Sequence, residues 1–285
     1  MTVLEGIQRS TEFLARKGVD SPRLQTELLL AHLLKMPRMR LYLSFERPLA
    51  EAEIDSFREL IKRRGQREPL QHIIGSTSFC GLEIKVSPRV LVPRPETELL
   101  AERGWTFLNE RSLPHPGALD IGAGSGCLAI ALATKCPTAE VTAVDISPEA
   151  LTVAQENAAQ HGLAERIRFL QGDCFTPLAA GSRFDLILSN PPYIPSGEIA
   201  TLQPEVRDYD PHTALDGGAD GLDYGRRLAA EAGRFLQPQG RLMMEFGDGQ
   251  AEALRRVFEE QNWVVEAMVE DYTHRPRIIV VSRSS

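Results

Sequence analysis

The sequence predicts an α/β protein: a parallel sheet with helices on both faces, preceded by a small helical bundle and a hairpin. Three observations carry this expectation. Beyond residue 115, short apolar runs alternate with stretches of helical spacing, the pattern of strands joined by crossover helices. In the first 67 residues only helical spacing recurs. Between the two lie short runs punctuated by glycine, which read as paired strands.

Taken in order, Leu4, Ile7, Phe13 and Leu14 share one helical face, and so do Leu24, Leu28, Leu29, Leu33 and Leu34. Ser21-Pro22 reads as the N-cap and first-turn proline of the second helix. Pro37 closes that run, and a third helix is expected from about Ala50 to Gly65. Lys62, Arg63, Arg64 and Arg67 read as a basic, solvated helix face. Ile73-Ile74, then 77–79 and 82–86, read as short strands turning at Gly75 and Gly81. Thr97 or a neighbour is expected to cap the next helix. Strands then follow at 118–121, 140–145, 167–172, 184–190 and 240–246, with helices at 127–135, 148–161, 223–235 and 249–261. The last two strands, 263–269 and 277–282, are joined by a short loop and should pair antiparallel. The expected division is a helical domain over 1–68, a hairpin linker over 69–93 and a catalytic domain over 94–285.

Composition narrows the class. With 42% apolar and 25% charged residues, the chain is that of an ordinary soluble protein. No apolar run has the length of a membrane span, and the N-terminus lacks a leader's apolar core. Cys80, Cys127, Cys136 and Cys174 show no CxxC pairing, so reduced thiols and a cytoplasmic location are expected. The six histidines show no metal-ligand spacing, and no metal is expected. The net charge of −7 divides into +3 over residues 1–75 and −10 over the remainder. An acidic catalytic part argues against tight binding to a phosphate backbone, so no stable nucleic-acid partner is expected.

The chemistry-bearing residues fall at strand ends. Gly122, Ala123, Gly124, Ser125 and Gly126 lie between a strand and a helix, where glycines allow close approach and a helix N-terminus offers N–H groups. Asp120 stands two residues ahead of the first glycine. Asp145 ends the next strand, where an acid can accept both hydroxyls of a ribose. Asp173 and Cys174 end the third strand, where an adenine would be flanked. Asn190, Pro191, Pro192 and Tyr193 end the fourth. Two prolines stop that strand and leave a carboxamide at the sheet edge, suited to holding another amide or an aromatic amine. An NAD site would call for G-x-G-x-x-G and a hydride-handling side chain at a sheet edge, and none is placed.

The spacing of Asp120, Gly122, Gly124 and Gly126 resembles the D/E-x-G-x-G-x-G motif of class I S-adenosylmethionine-dependent methyltransferases. That resemblance implies a Rossmann-like, seven-stranded sheet whose seventh strand inserts antiparallel. Pro69 to Gly75, Phe79 to Leu82, Val90 to Glu98 (Val-Leu-Val-Pro-Arg-Pro-Glu-Thr-Glu), Asn190 to Ile194 and Ala214 to Leu222 resemble the HemK/PrmC family. The resemblance runs from about residue 69 to 245, with a similar helical region in front. It implies methylation of the N5 nitrogen of the glutamine in the Gly-Gly-Gln motif of class I peptide chain release factors. The implied donor is S-adenosyl-L-methionine, leaving S-adenosyl-L-homocysteine. The cofactor would fall on Gly122, Ala123, Gly124, Ser125, Gly126, Asp145, Cys174 and Asn190. The target glutamine would fall on Asn190, Pro191, Pro192 and Tyr193, with Asn190, Pro191 and Tyr193 catalytic. A release factor is then the expected partner of a monomeric enzyme.

Three positions depart from the family's pattern. His72 stands in place of Tyr, Asp210-Pro211 in place of Glu-Pro, and Cys174 where a large side chain, often Trp, flanks adenine. Phe175 is the expected substitute for that stacking surface. Residues 195–213 with Asp216 to Gly221 are expected to cover the substrate. An adenine-N6 or cytosine-N4 nucleic-acid methyltransferase uses the same Asn-Pro-Pro-Tyr motif and is the alternative, with a non-catalytic binding module as a third reading.

Overall fold

The computed structural model describes residues 1–111 and 113–283. They form two compact units, one of Met1–Ser76 with Gln203–Tyr209, the other of Thr77–Leu202 with Asp210–Ser285.

The first unit is helical. Its elements are α1 (Val3–Arg16), α2 (Pro22–Leu33), α3 (Arg38–Tyr42), α4 (Glu51–Gly65) and α5 (Leu70–Ile74). Val3, Ile7, Leu14, Leu29, Leu30, Phe57, Ile61 and Ile73 close the core that the helical spacing anticipates. Four local expectations fail here. Ser21 precedes α2 in a left-handed conformation and makes no capping bond, so Pro22 alone opens the helix. The short helix α3 follows Pro37, where no element was expected. Ile73 and Ile74 belong to α5 rather than to a strand, because burying Ile73 in the bundle outweighs the strand preference of two branched residues. The basic cluster is not a solvated face. Arg64 is buried, and with Arg67 it binds Glu205 at 2.6 Å, while Arg63 pairs with Glu68. Glu205 lies on the short helix formed later in the chain by Pro204–Arg207, which is part of this unit.

The chain passes from the first unit into the second within the hairpin strand β1 (Ser76–Phe79), followed by β2 (Leu82–Lys85) and α6 (Pro95–Glu110). There follow β3 (Gly117–Ile121), α7 (Cys127–Lys135), β4 (Glu140–Asp145), α8 (Pro148–Gln160), β5 (Ile167–Gln171) and β6 (Phe184–Ser189). Past α9 (Pro204–Arg207) come α10 (Asp223–Glu231), β7 (Leu236–Glu245), α11 (Ala251–Glu260), β8 (Trp263–Glu270) and β9 (Pro276–Arg283). One seven-stranded sheet runs β5-β4-β3-β6-β7-β9-β8. The first five of these strands are parallel, and β9 inserts antiparallel between β7 and β8. Each face is covered by its own apolar cluster, with Leu100, Leu128 and Leu188 on one side and Leu228, Leu254 and Phe258 on the other. That two-sided burial is why the central strands read as continuous apolar runs. The chain order turns from one half of the sheet to the other between β3 and β6. Ligands of open α/β sheets bind at that crevice, beyond the carboxyl ends of the strands.

Candidate active site

A cavity opens at that crevice, enclosing about 1050 Å³ of space that is partly open to solvent. The glycine loop after β3 forms one wall. Gly122, Gly124 and Gly126 have φ of 78°, 53° and 79°, a region that side chains with a Cβ enter only at a cost. A Cβ on Gly126 would stand 2.9 Å from the Cβ of Ala154, whereas at Gly122 and Gly124 the nearest atoms lie 3.9 and 4.0 Å away. The last glycine therefore lets α7 and α8 approach, and the first two keep the cavity wall low. Gly122, Ala123, Gly124 and Ser125 line the cavity, while Gly126 lies behind it as the N-cap of α7.

Asp145, at the end of β4, lines the cavity and ties the loop together. Its Oδ2 accepts from the Gly124 N–H at 2.7 Å and its Oδ1 from the Ser147 N–H at 2.9 Å. Burial nevertheless raises its pKa. Ser147 caps α8 by accepting from the Ala150 N–H, as the sequence suggests. Asp120 is fully buried, accepts from the Ala129 N–H at 3.2 Å and is pushed up to about 7 by burial.

Cys174 lines the cavity in a left-handed conformation, with burial pushing its thiol up to about 11. The expectation for Phe175 fails. Its ring is stacked on Phe235 at 4.9 Å, inside the core, because packing an aromatic there buries it fully. The planar and apolar groups that do line this end are Tyr224, at the start of α10, and Ile146, which is 56% exposed. Neither was read from the sequence, because the exposure of Ile146 and the placement of Tyr224 are set by the tertiary structure. Asp173 lines the cavity too, with its Oδ1 bound to Arg227 at 2.5 Å.

Asn190, Pro191 and Pro192 follow β6 and line the cavity beside the glycine loop. Tyr193 does not line it. Its hydroxyl lies 3.4 Å from Glu245 at the end of β7, and the Gln250 side chain donates to its carbonyl at 2.8 Å. Gly217 and Gly221 pack so closely on the Tyr193 backbone that a Cβ on either would come within 2.8 and 2.3 Å of it. Asp216 pairs as a bridge with Ile194, so this glycine-rich segment holds the Asn-Pro-Pro-Tyr turn in place. Pro211, Thr213 and Ala214 line the cavity from the following loop.

Further contacts emerge that spacing could not reveal. Thr97 does not cap α6, whose N-cap is Arg94. Instead its buried hydroxyl donates to Glu245 at 2.7 Å and accepts from the Asn190 amide at 3.0 Å. Arg94 binds the buried Asp210 at 2.6 Å, and Glu98 accepts from the Cys80 N–H of the hairpin turn at 2.7 Å. Asn157 of α8 donates to the Ser125 carbonyl at 2.9 Å and to the Lys85 carbonyl at 3.0 Å, securing the glycine loop to β2.

The fold and cavity are those of a methyltransferase. Residues 115–276 match a methyltransferase domain, and residues 5–75 match the PrmC N-terminal domain. A release factor glutamine methyltransferase of Geobacter sulfurreducens is 47% identical over 258 residues, covering 90% of this chain and 88% of that one. The chain belongs to the release factor glutamine methyltransferase family. A second relative so named, from Chlorobaculum tepidum, is 45% identical over 258 residues, covering 88% of this chain and 87% of that one. A solved methyltransferase structure from Pyrococcus furiosus matches with a TM-score of 0.53 at 21% identity, covering 78% of this chain and 99% of that one, and shows the fold alone. The family and this fold use S-adenosylmethionine, and the cavity suits it. Open glycines, a strand-end carboxylate, and the side chains of Tyr224 and Ile146 all line it. Among the described residues no cluster of side chains could hold a metal ion, and no helix is long and apolar enough to cross a membrane.

Proposed function

We propose that the protein methylates the N5 nitrogen of a glutamine in the Gly-Gly-Gln motif of class I peptide chain release factors, with S-adenosylmethionine as donor. The observation that carries this reading is the placement of Asn190 and Pro191 in one cavity with the glycine loop and Asp145. Gly122, Gly124, Asp145 and Cys174 would hold the donor, with the wall of Tyr224 and Ile146 beside its base. When bound, the donor supplies an electrophilic methyl group.

The residues of the chain supply orientation. An amide nitrogen is a weak nucleophile because its lone pair is delocalised into the carbonyl. The Asn190 side-chain oxygen and the Pro191 carbonyl would each accept one hydrogen of the target NH2, turning the lone pair toward the methyl group. No strong base is needed beforehand, since the proton leaves readily to water once the nitrogen carries the new methyl. The acceleration then comes from proximity, orientation and exclusion of water. Tyr193 contributes by fixing the turn through Glu245 and Gln250.

The helical unit, expected over 1–68, would grip the release factor away from the reacting glutamine; deleting it should weaken release-factor binding and spare cofactor binding. The acidic balance of the catalytic part argues against the nucleic-acid alternative. Transfer of labelled methyl from S-adenosylmethionine to purified release factor, lost when the motif glutamine is replaced, is the expected result. No label on the factor despite intact cofactor binding would refute the assignment.

A further inference from the structure

An asparagine clamp works only if its carboxamide faces the right way. Its two ends are nearly the same size but opposite in hydrogen-bonding sense. With the oxygen toward the target, Asn190 accepts an N–H of the glutamine amide. With the amine toward the target, two donors face each other and the clamp repels its substrate. The side chain's own torsion prefers neither end, so something else must decide.

The contacts around Thr97 decide it. The hydroxyl has a single hydrogen, and with Glu245 ionised, as it is above about pH 7, the 2.7 Å contact to its Oε2 commits that hydrogen to the carboxylate. Toward Asn190, 3.0 Å away, the same oxygen can therefore only accept. Only the Nδ2 end of the carboxamide can donate to it, which leaves Oδ1 as the acceptor for the target. Glu245 is itself fixed in place, being 2% exposed with its other oxygen facing the Tyr193 hydroxyl at 3.4 Å. Thr97 is likewise 2% exposed and fixed in the first turn of α6.

We propose that Thr97 and Glu245 are positioning residues that set the polarity of the Asn190 carboxamide and so select a hydrogen-bond donor, the target NH2, as what the cavity accepts. This rests on the reading of Asn190 as acceptor for the glutamine amide. The relay spans three elements: the start of α6, the end of β6 and the end of β7. It gives the threonine of the Arg-Pro-Glu-Thr-Glu stretch a role in the reaction. Removing the Glu245 acceptor frees the Thr97 hydrogen to bond to Asn190 Oδ1, which turns the amine outward.

The test uses the full chain, purified release factor and S-adenosylmethionine, with single-turnover rates and cofactor affinity by calorimetry. Thr97→Val keeps the shape and removes the hydroxyl; the rate should fall at least tenfold, with cofactor affinity within about threefold of the parent. Thr97→Ser restores the hydroxyl and should recover most of the rate. Glu245→Met should lose a similar factor, and the double variant Thr97→Val/Glu245→Met should lose no more than either single one, since both break the same relay. A Thr97→Val enzyme at the parent rate, a Thr97→Ser enzyme as slow as Thr97→Val, or multiplying losses in the double variant would overturn the proposal. Should Thr97→Val fail to fold, the Thr97→Ser and Glu245→Met pair still decides it, by recovery in one and loss in the other. Asn190→Ala separates the two levels. If it retains turnover, the reading of Asn190 itself fails. If it loses turnover while Thr97→Val does not, only the relay fails.

Discussion

The two halves of the cavity are built in different ways. On the side proposed to hold the donor, the glycine loop and Asp145 are shaped by residues close in sequence: positive φ at three glycines, and a carboxylate bonding to Gly124 and Ser147. On the side proposed to hold the target, Asn190 is bonded to Thr97 and through it to Glu245, which stand 93 and 55 positions away along the chain. A local site is held by bonds between near neighbours in the chain. A site assembled from distant elements is correct only when the whole sheet is. The difference teaches where substitutions act: on the donor side through backbone strain and affinity, on the target side through the rate at constant affinity.

The largest effect should come from breaking the target side alone. Asn190→Ala should lower the methyl-transfer rate by roughly a hundredfold or more, with cofactor affinity changed only a few-fold, measured by single turnover and calorimetry. An equal loss in both would erase the distinction between the halves. On the donor side, Gly126→Ala places a Cβ against Ala154 in a left-handed backbone and should cost about 1–3 kcal/mol of stability. Thermal unfolding would show it, and an unchanged midpoint would mean that the loop is not tightly held. Asp145→Asn keeps the shape but loses the charge-assisted bonds to two N–H groups; cofactor affinity should weaken about tenfold. The rate at saturating cofactor should hold.

The smallest effect is a pH dependence. Burial raises both Asp120 and Glu245 to about 7. Each is neutral longer in the folded chain than in the unfolded one. Their contribution is therefore full below about pH 4, the unfolded carboxylate range, and is lost as pH rises toward about 7. Asp120→Asn removes one such group from the donor side. Its melting temperature relative to the parent should rise by a few degrees between pH 4 and 8, and a constant difference would contradict a neutral Asp120 at low pH.

The strand–helix alternation, the antiparallel last pair and the glycine loop were legible because each is a local pattern. The misreadings were local conflicts resolved by packing. Ile73 joined a helix to reach the bundle core, Ser21 left its capping bond unmade, and Phe175 stacked on Phe235 instead of facing the cavity. Arg64 and Arg67 looked like a solvated face because their partner, Glu205, lies about 140 positions later in the chain.

By itself, the sequence determined the parallel sheet, the loop that turns at three glycines and the proline stop that leaves Asn190 at a strand end. Those follow from residue periodicity, from φ preferences and from proline's missing N–H. Only the tertiary structure decided which end of the Asn190 carboxamide faces the cavity. That choice depends on one hydroxyl hydrogen, committed by a carboxylate that no local rule could have placed beside it.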